Sequence, residues 1–117
     1  MAFSPDGKTL ATADDKEVTL WDLAPLARRS AFKSGSADCC TVAFSPDGKL
    51  LAASYDDGRV IVRDPQSGKE RLSFKPFDGY GYLSFSPDSR LLAVSGGGSL
   101  VIWDLLAGKE ITPHSDP

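Results

Sequence analysis

Phe3-Ser4-Pro5-Asp6-Gly7 recurs as Phe44-Ser45-Pro46-Asp47-Gly48 and again as Phe85-Ser86-Pro87-Asp88-Ser89, 41 residues further along each time. An apolar run follows each copy: Thr9-Leu10-Ala11-Thr12, then Leu50-Leu51-Ala52-Ala53-Ser54, then Leu91-Leu92-Ala93-Val94-Ser95. A polar or glycine-rich turn comes next (Asp14-Asp15-Lys16, Asp56-Asp57-Gly58, Gly96-Gly97-Gly98). The strand after that turn ends in Trp21-Asp22, Arg63-Asp64 or Trp103-Asp104. Three ordered copies of four features identify a repeat architecture in which one supersecondary unit is stacked on the next.

Each feature has a physical reason. Proline presets φ at the first turn position, aspartate suits the second, and glycine supplies the positive φ that reverses the chain into a hairpin. Ser89 stands where glycine belongs in the third copy, at an expected cost of roughly 1 kcal/mol if the same backbone is kept. Leu100-Val101-Ile102-Trp103 and Val60-Ile61-Val62 are apolar on both faces. A half-exposed sheet would alternate apolar with polar, so each small sheet is expected to lie between neighbours. A more polar fourth strand closes each unit: Ser30-Ala31-Phe32-Lys33, Glu70-Arg71-Leu72-Ser73-Phe74 and Lys109-Glu110-Ile111-Thr112. Short polar strands suit an outer edge, where bare backbone groups otherwise invite aggregation. Helical periodicity is absent, which excludes helical solenoids.

Composition narrows the function. The 117 residues carry 13 basic and 16 acidic side chains, a net charge of -3, with both signs scattered. No basic stripe of the kind phosphate binding needs is present, so no nucleic-acid partner is expected. The longest apolar runs are far short of a membrane span, and no membrane partner is expected either. Cys39 and Cys40 are adjacent, a poor geometry for a disulfide, and read as two reduced thiols of a cytoplasmic protein. No further cysteine completes a metal site, the only histidine is His114, and no cofactor is expected.

The joint pattern resembles the WD-repeat β-propeller family over essentially the whole chain. The resemblance implies an all-β fold: a partial β-propeller of three four-stranded antiparallel blades forming an incomplete ring. The blades are expected at 1–33, 34–75 and 76–112, with a polar tail at 113–117. It also implies a non-catalytic scaffold or sensor that binds other proteins. A buried polar relay of the family carries over by position. Asp15, Trp21 and Thr12 fill its places in the first copy. Asp57 and Ser54 do so in the second, where Arg63 replaces tryptophan; Trp103 and Ser95 remain in the third. No copy has the family's histidine. With the motif aspartates Asp22, Asp64 and Asp104, these residues are read as blade-stabilising.

Paired acids such as Asp56-Asp57 suit tight turns better than acid–base chemistry, since aspartate bonds its own turn. Gly96-Gly97-Gly98 lacks the lysine and helix start of a phosphate loop. Serines have no histidine base within the repeats, so no catalytic residue is assigned. The alternative class is a fragment of a propeller-fold enzyme, against which the lack of inward histidines and carboxylates speaks. Tyr55, Phe77 and Tyr80, with Tyr82 nearby, are candidate partner contacts; Phe77 and Tyr80 could equally tuck between blades. Three blades fall short of the usual closed ring. With an inner strand cut short at Met1, the chain is expected to be a piece of a longer protein or to associate with further blades. The expected contact faces carry Val18, Leu20, Leu10 and Ala11 at one end, and Val101, Trp103, Leu92 and Val94 at the other.

Overall fold

The computed structural model describes residues 1–14, 17–23, 25–33, 39–75, 81–96 and 99–111. They form twelve strands: β1 (Ala2–Phe3), β2 (Thr9–Asp14), β3 (Glu17–Leu23), β4 (Leu26–Lys33), β5 (Cys39–Phe44), β6 (Leu51–Tyr55), β7 (Val60–Arg63), β8 (Glu70–Phe74), β9 (Tyr82–Phe85), β10 (Leu91–Gly96), β11 (Ser99–Asp104) and β12 (Lys109–Glu110). Each consecutive set of four is one antiparallel meander, giving three four-stranded sheets. The outer strand of the first sheet starts at Leu26, four residues ahead of the Ser30 expected from polarity alone.

The turn chemistry repeats with the sequence. In the first copy the Ser4 hydroxyl donates to Asp6 Oδ1 at 2.6 Å and accepts from the Thr9 N–H at 3.0 Å. The same aspartate oxygen accepts the Lys8 N–H at 2.9 Å. Ser45, Asp47, Lys49 and Leu50 reproduce the network, as do Ser86, Asp88, Arg90 and Leu91. Gly7 and Gly48 sit at φ 72° and 75°, and Ser89 adopts the same left-handed backbone at φ 63°. The serine takes on this strained position and returns a contact between sheets, because its hydroxyl accepts the Asp47 N–H at 3.0 Å. That bond, worth about 0.5–1.5 kcal/mol, offsets a left-handed penalty of similar size.

Register makes the three sheets superimposable. Leu10 pairs with Trp21, Leu51 with Arg63 and Leu92 with Trp103. Irregularities in the outer pairing fall at equivalent places, between Leu20 and Trp21 and between Val62 and Arg63. Two seams form the core. Ala11, Val18 and Leu20 of the first sheet bury against Leu51, Ala53, Tyr55 and Ile61 of the second. Ala52, Val60 and Val62 on the other face of the second sheet bury against Leu92 and Val94 of the third. The inner strands β1, β5 and β9 lie next to one another, so the sheets fan outward from them.

This arrangement corrects the expected contact faces. Val18, Leu20 and Ala11, and likewise Val101, Leu92 and Val94, are buried rather than presented at the ends. Strand alternation then leaves Leu10, Thr12 and Trp21 facing away from the second sheet at one end. Ala93, Leu100 and Ile102 do so at the other. Phe44 and Phe85 pack into the two seams, whereas no sheet of the described residues covers their equivalent Phe3, which is 62 % exposed.

Candidate functional site

The motif tryptophans stand at equivalent registers, and each is half-buried rather than enclosed. Trp103 stacks flat on Phe74 from the outer strand of the preceding sheet, with centroids 4.1 Å apart and planes 10° from parallel. Arg63 does the same job one seam earlier, its guanidinium 4.8 Å above the Phe32 ring and donating to the Gly68 carbonyl at 3.3 Å. Phe32 and Phe74 are themselves register equivalents, paired with Val18 and Val60. An aromatic on one outer strand and a flat group on the next sheet therefore form a repeated staple. A guanidinium serves in place of an indole because its planar cation stacks on an aromatic face.

The polar relay is only partly assembled. Trp21 Nε1 donates to Thr12 Oγ1 at 3.1 Å. Asp15 lies outside the described residues. Ser54 and Asp57 are not brought together. The Ser54 hydroxyl donates at 2.8 Å to the carbonyl of Gly81, the residue before β9, and lies 2.8 Å from Thr41 Oγ1 on β5, tying the second blade to the start of the third. Asp57 instead holds its own turn, accepting the Arg59 N–H at 3.1 Å and pairing with its guanidinium at 2.8 Å. Ser95 does not meet Trp103. Alternation puts it on the opposite face, and the register equivalent of Thr12 is Val94. The Trp103 Nε1 is consequently buried with no hydrogen-bond partner among the described residues.

The aspartates after the tryptophan position organise the turn into the outer strand. Asp104 accepts the N–H groups of Leu106 and Ala107, both at 3.0 Å, and the Arg90 guanidinium at 3.3 Å. The Ala107 N–H above all, with Arg90 and Leu106, holds its carboxyl below the usual range. Asp64 accepts from Gln66 and Ser67. Asp22 pairs instead with Arg29, at 2.8 Å to Nη2 and 3.0 Å to Nε.

Of the candidate contact residues, Tyr55 is fully buried in the first seam and is unavailable as a contact surface. It ends β6 on the face turned toward the first sheet, a direction no local pattern reveals. Phe77 and Tyr80 lie outside the described residues. Tyr82 is 62 % exposed at the start of β9, on an inner strand rather than in the connection.

Two arginines went unnoticed in the sequence although their spacing marks them: Arg29 and Arg71 each stand three residues before the staple phenylalanine. Arg29 spans the first seam. Besides Asp22, it donates to Thr9 Oγ1 at 2.9 Å and to the Pro65 carbonyl of the second sheet at 3.3 Å.

The geometry is that of stacked blades, and comparison with known proteins agrees. The family model for the WD domain, G-beta repeat, matches residues 1–22, 28–64 and 81–104. The chain belongs to the WD-repeat family. Among similar WD-repeat relatives, telomerase protein component 1 of Rattus norvegicus is 31 % identical over 124 aligned residues, and that of Mus musculus 33 %. Those alignments take in 99 % of this chain and 5 % of each relative. Small ribosomal subunit protein RACK1 of Caenorhabditis elegans is 32 % identical over 112 residues, covering 93 % of this chain and 34 % of its own. The three sheets are thus WD blades, and no helix among the described residues is long and apolar enough to cross a membrane.

Proposed function

We propose that the chain is a three-blade portion of a WD-type propeller acting as a non-catalytic protein-interaction scaffold, with blades at 1–33, 34–75 and 76–112. The observation that carries the reading is the equivalence of the seams. In both, the tryptophan-position face of one blade receives the opposite face of the blade before it. The face bearing Phe3, Leu10 and Trp21 is the same surface, left uncovered by any sheet of the described residues, and Ala93, Leu100 and Ile102 form the matching surface, likewise uncovered by them. Apolar burial of about 25 cal/mol per Å² favours covering both. The covering blades come from the rest of a longer polypeptide or from a second copy placed head to tail. Trp21, Thr12, Ser54, Asp22, Asp64, Trp103 and Asp104 are assigned to blade stability. The names of the relatives are those of components of larger assemblies, a telomerase protein component and a small ribosomal subunit protein, which supports a scaffold role. Cys39 and Cys40 are adjacent, a poor geometry for a disulfide, which supports placement in the reducing cytoplasm.

Light scattering on the purified chain at micromolar concentration, with a dye that reports apolar surface, tests the open faces. A mass above that of one chain is expected, lowered by Leu100→Lys; a monodisperse monomer that binds no dye overturns this part. Capture of partners, followed by reconstitution with each purified protein, tests the scaffold. One direct, saturable partner is expected, and failure of every reconstitution counts against the role.

A further inference from the structure

The two seams differ at one end of the fan, where the Ser-Pro-Asp turns and the turns into the outer strands meet. In the first, Arg29 closes the seam through Asp22, Thr9 and the Pro65 carbonyl. Arg71 is its equivalent, bordering a groove of about 500 Å³ between blades two and three. There the partners are gone. Leu50 occupies the position of Thr9, and Asp64 is engaged by the N–H groups of Gln66 and Ser67. Arg71 and Lys49 accordingly make no side-chain hydrogen bond or ion pair among the described residues, and both are exposed. The acids of the groove are committed. Asp47 and Asp88 each accept a serine hydroxyl and a backbone N–H within their own turns. Beside these two cations lie Leu50, Leu105 and Leu106, the last 81 % exposed.

We infer that this groove is a docking site for a short acidic segment of a partner protein, a carboxylate side chain followed by an apolar one. The guanidinium of Arg71 and the Lys49 ammonium receive the carboxylate, as a planar donor fork does well. The leucines receive the apolar side chain. A flat basic surface would suit nucleic acid; two cations without hydrogen-bond partners over an apolar slot, flanked by two ionised aspartates, suit a peptide. The inference rests on the scaffold reading and assigns that role a surface.

The test uses the 117-residue chain and a fluorescein-labelled peptide Ser-Glu-Asp-Leu-Leu-Ser, read by anisotropy. Saturable binding is expected, weakened about tenfold or more by Arg71→Ala, as for loss of a charged hydrogen bond. Leu106→Ser weakens it too, whereas Arg59→Ala, at the other end of the strands, leaves it unchanged. The amide peptide Ser-Gln-Asn-Leu-Leu-Ser binds more weakly than the acidic one, and an unlabelled oligothymidylate does not compete. Both groove substitutions are at exposed side chains, and circular dichroism confirms that the sheets persist. Absence of binding up to millimolar peptide, indifference to Arg71→Ala, or equal binding of the amide peptide overturns the inference. So does Arg71-dependent binding of the oligonucleotide in place of the peptide. A partner reconstituted with the chain but insensitive to both substitutions would remove the groove and leave the scaffold reading standing.

Discussion

Threonine at position 94 should satisfy the indole of Trp103. In the first blade Thr12 Oγ1 accepts from Trp21 Nε1 at 3.1 Å. Val94 occupies the same register in the third, fully buried, and the Trp103 Nε1 is buried without a partner among the described residues. An unsatisfied buried donor costs about 1–3 kcal/mol, and an ordinary internal hydrogen bond contributes about 1 kcal/mol. Val94→Thr exchanges a methyl for a hydroxyl of nearly the same volume, losing about 1 kcal/mol of apolar transfer. Relief of the orphan donor equals or exceeds that loss, so stability should be unchanged or rise by up to about 2 kcal/mol. Val62→Thr, equally buried but with no orphan donor assigned beside it, should lose about 1–3 kcal/mol. In the reverse direction, Thr12→Val strands the Trp21 indole and should cost about 1–2 kcal/mol. Urea unfolding followed by tryptophan fluorescence measures all three from the midpoint at constant slope. If Val94→Thr is as damaging as Val62→Thr, the register equivalence of the two indoles is wrong.

Trp103→Ala removes the ring stacked on Phe74 and should cost about 3–5 kcal/mol; a loss below about 1 kcal/mol in the same assay would refute its place in the seam. Ser89→Ala keeps the left-handed strain while losing the bond from Asp47 and should be less stable than both the native chain and Ser89→Gly, which relieves that strain. Equal midpoints for the two variants would exclude the compensation. Asp6, Asp47 and Asp88 are held below the usual carboxylate range, first of all by the hydroxyls of Ser4, Ser45 and Ser86. Depressed folded pKa values mean stabilisation that is present above the unfolded value near 3.8 and lost as the pH falls through the lower folded values. The urea midpoint should therefore fall on acidification below about pH 4, less steeply in Asp47→Asn; a midpoint that rises there would contradict the turn networks.

Much of this protein is local and was therefore legible in the chain. Ser-Pro-Asp-Gly specifies its own turn, because serine, aspartate and the following N–H groups lie within five residues of one another. The 41-residue period and the apolar strands on either side of each turn predict three four-stranded sheets, with the Trp21, Arg63 and Trp103 positions in equal register. Tertiary packing decided the rest. Strand alternation defines two faces but not which neighbour each one meets, so Val18, Leu20 and Val94 were expected at the ends and lie in the seams. Tyr55 is the last residue of its strand before a turn and would pass for a contact residue, yet the neighbouring sheet covers it. Ser54 and Ser95 occupy matching positions, but only Ser54 faces a following blade, and its hydroxyl therefore bridges to Gly81. Arg29 and Arg71 are the same residue at the same register with opposite fates. The difference lies in Thr9 against Leu50, and in whether the nearby aspartate serves the arginine or its own turn. Such contacts join residues 20 to 42 positions apart, and only the stacking of whole sheets brings those residues within reach.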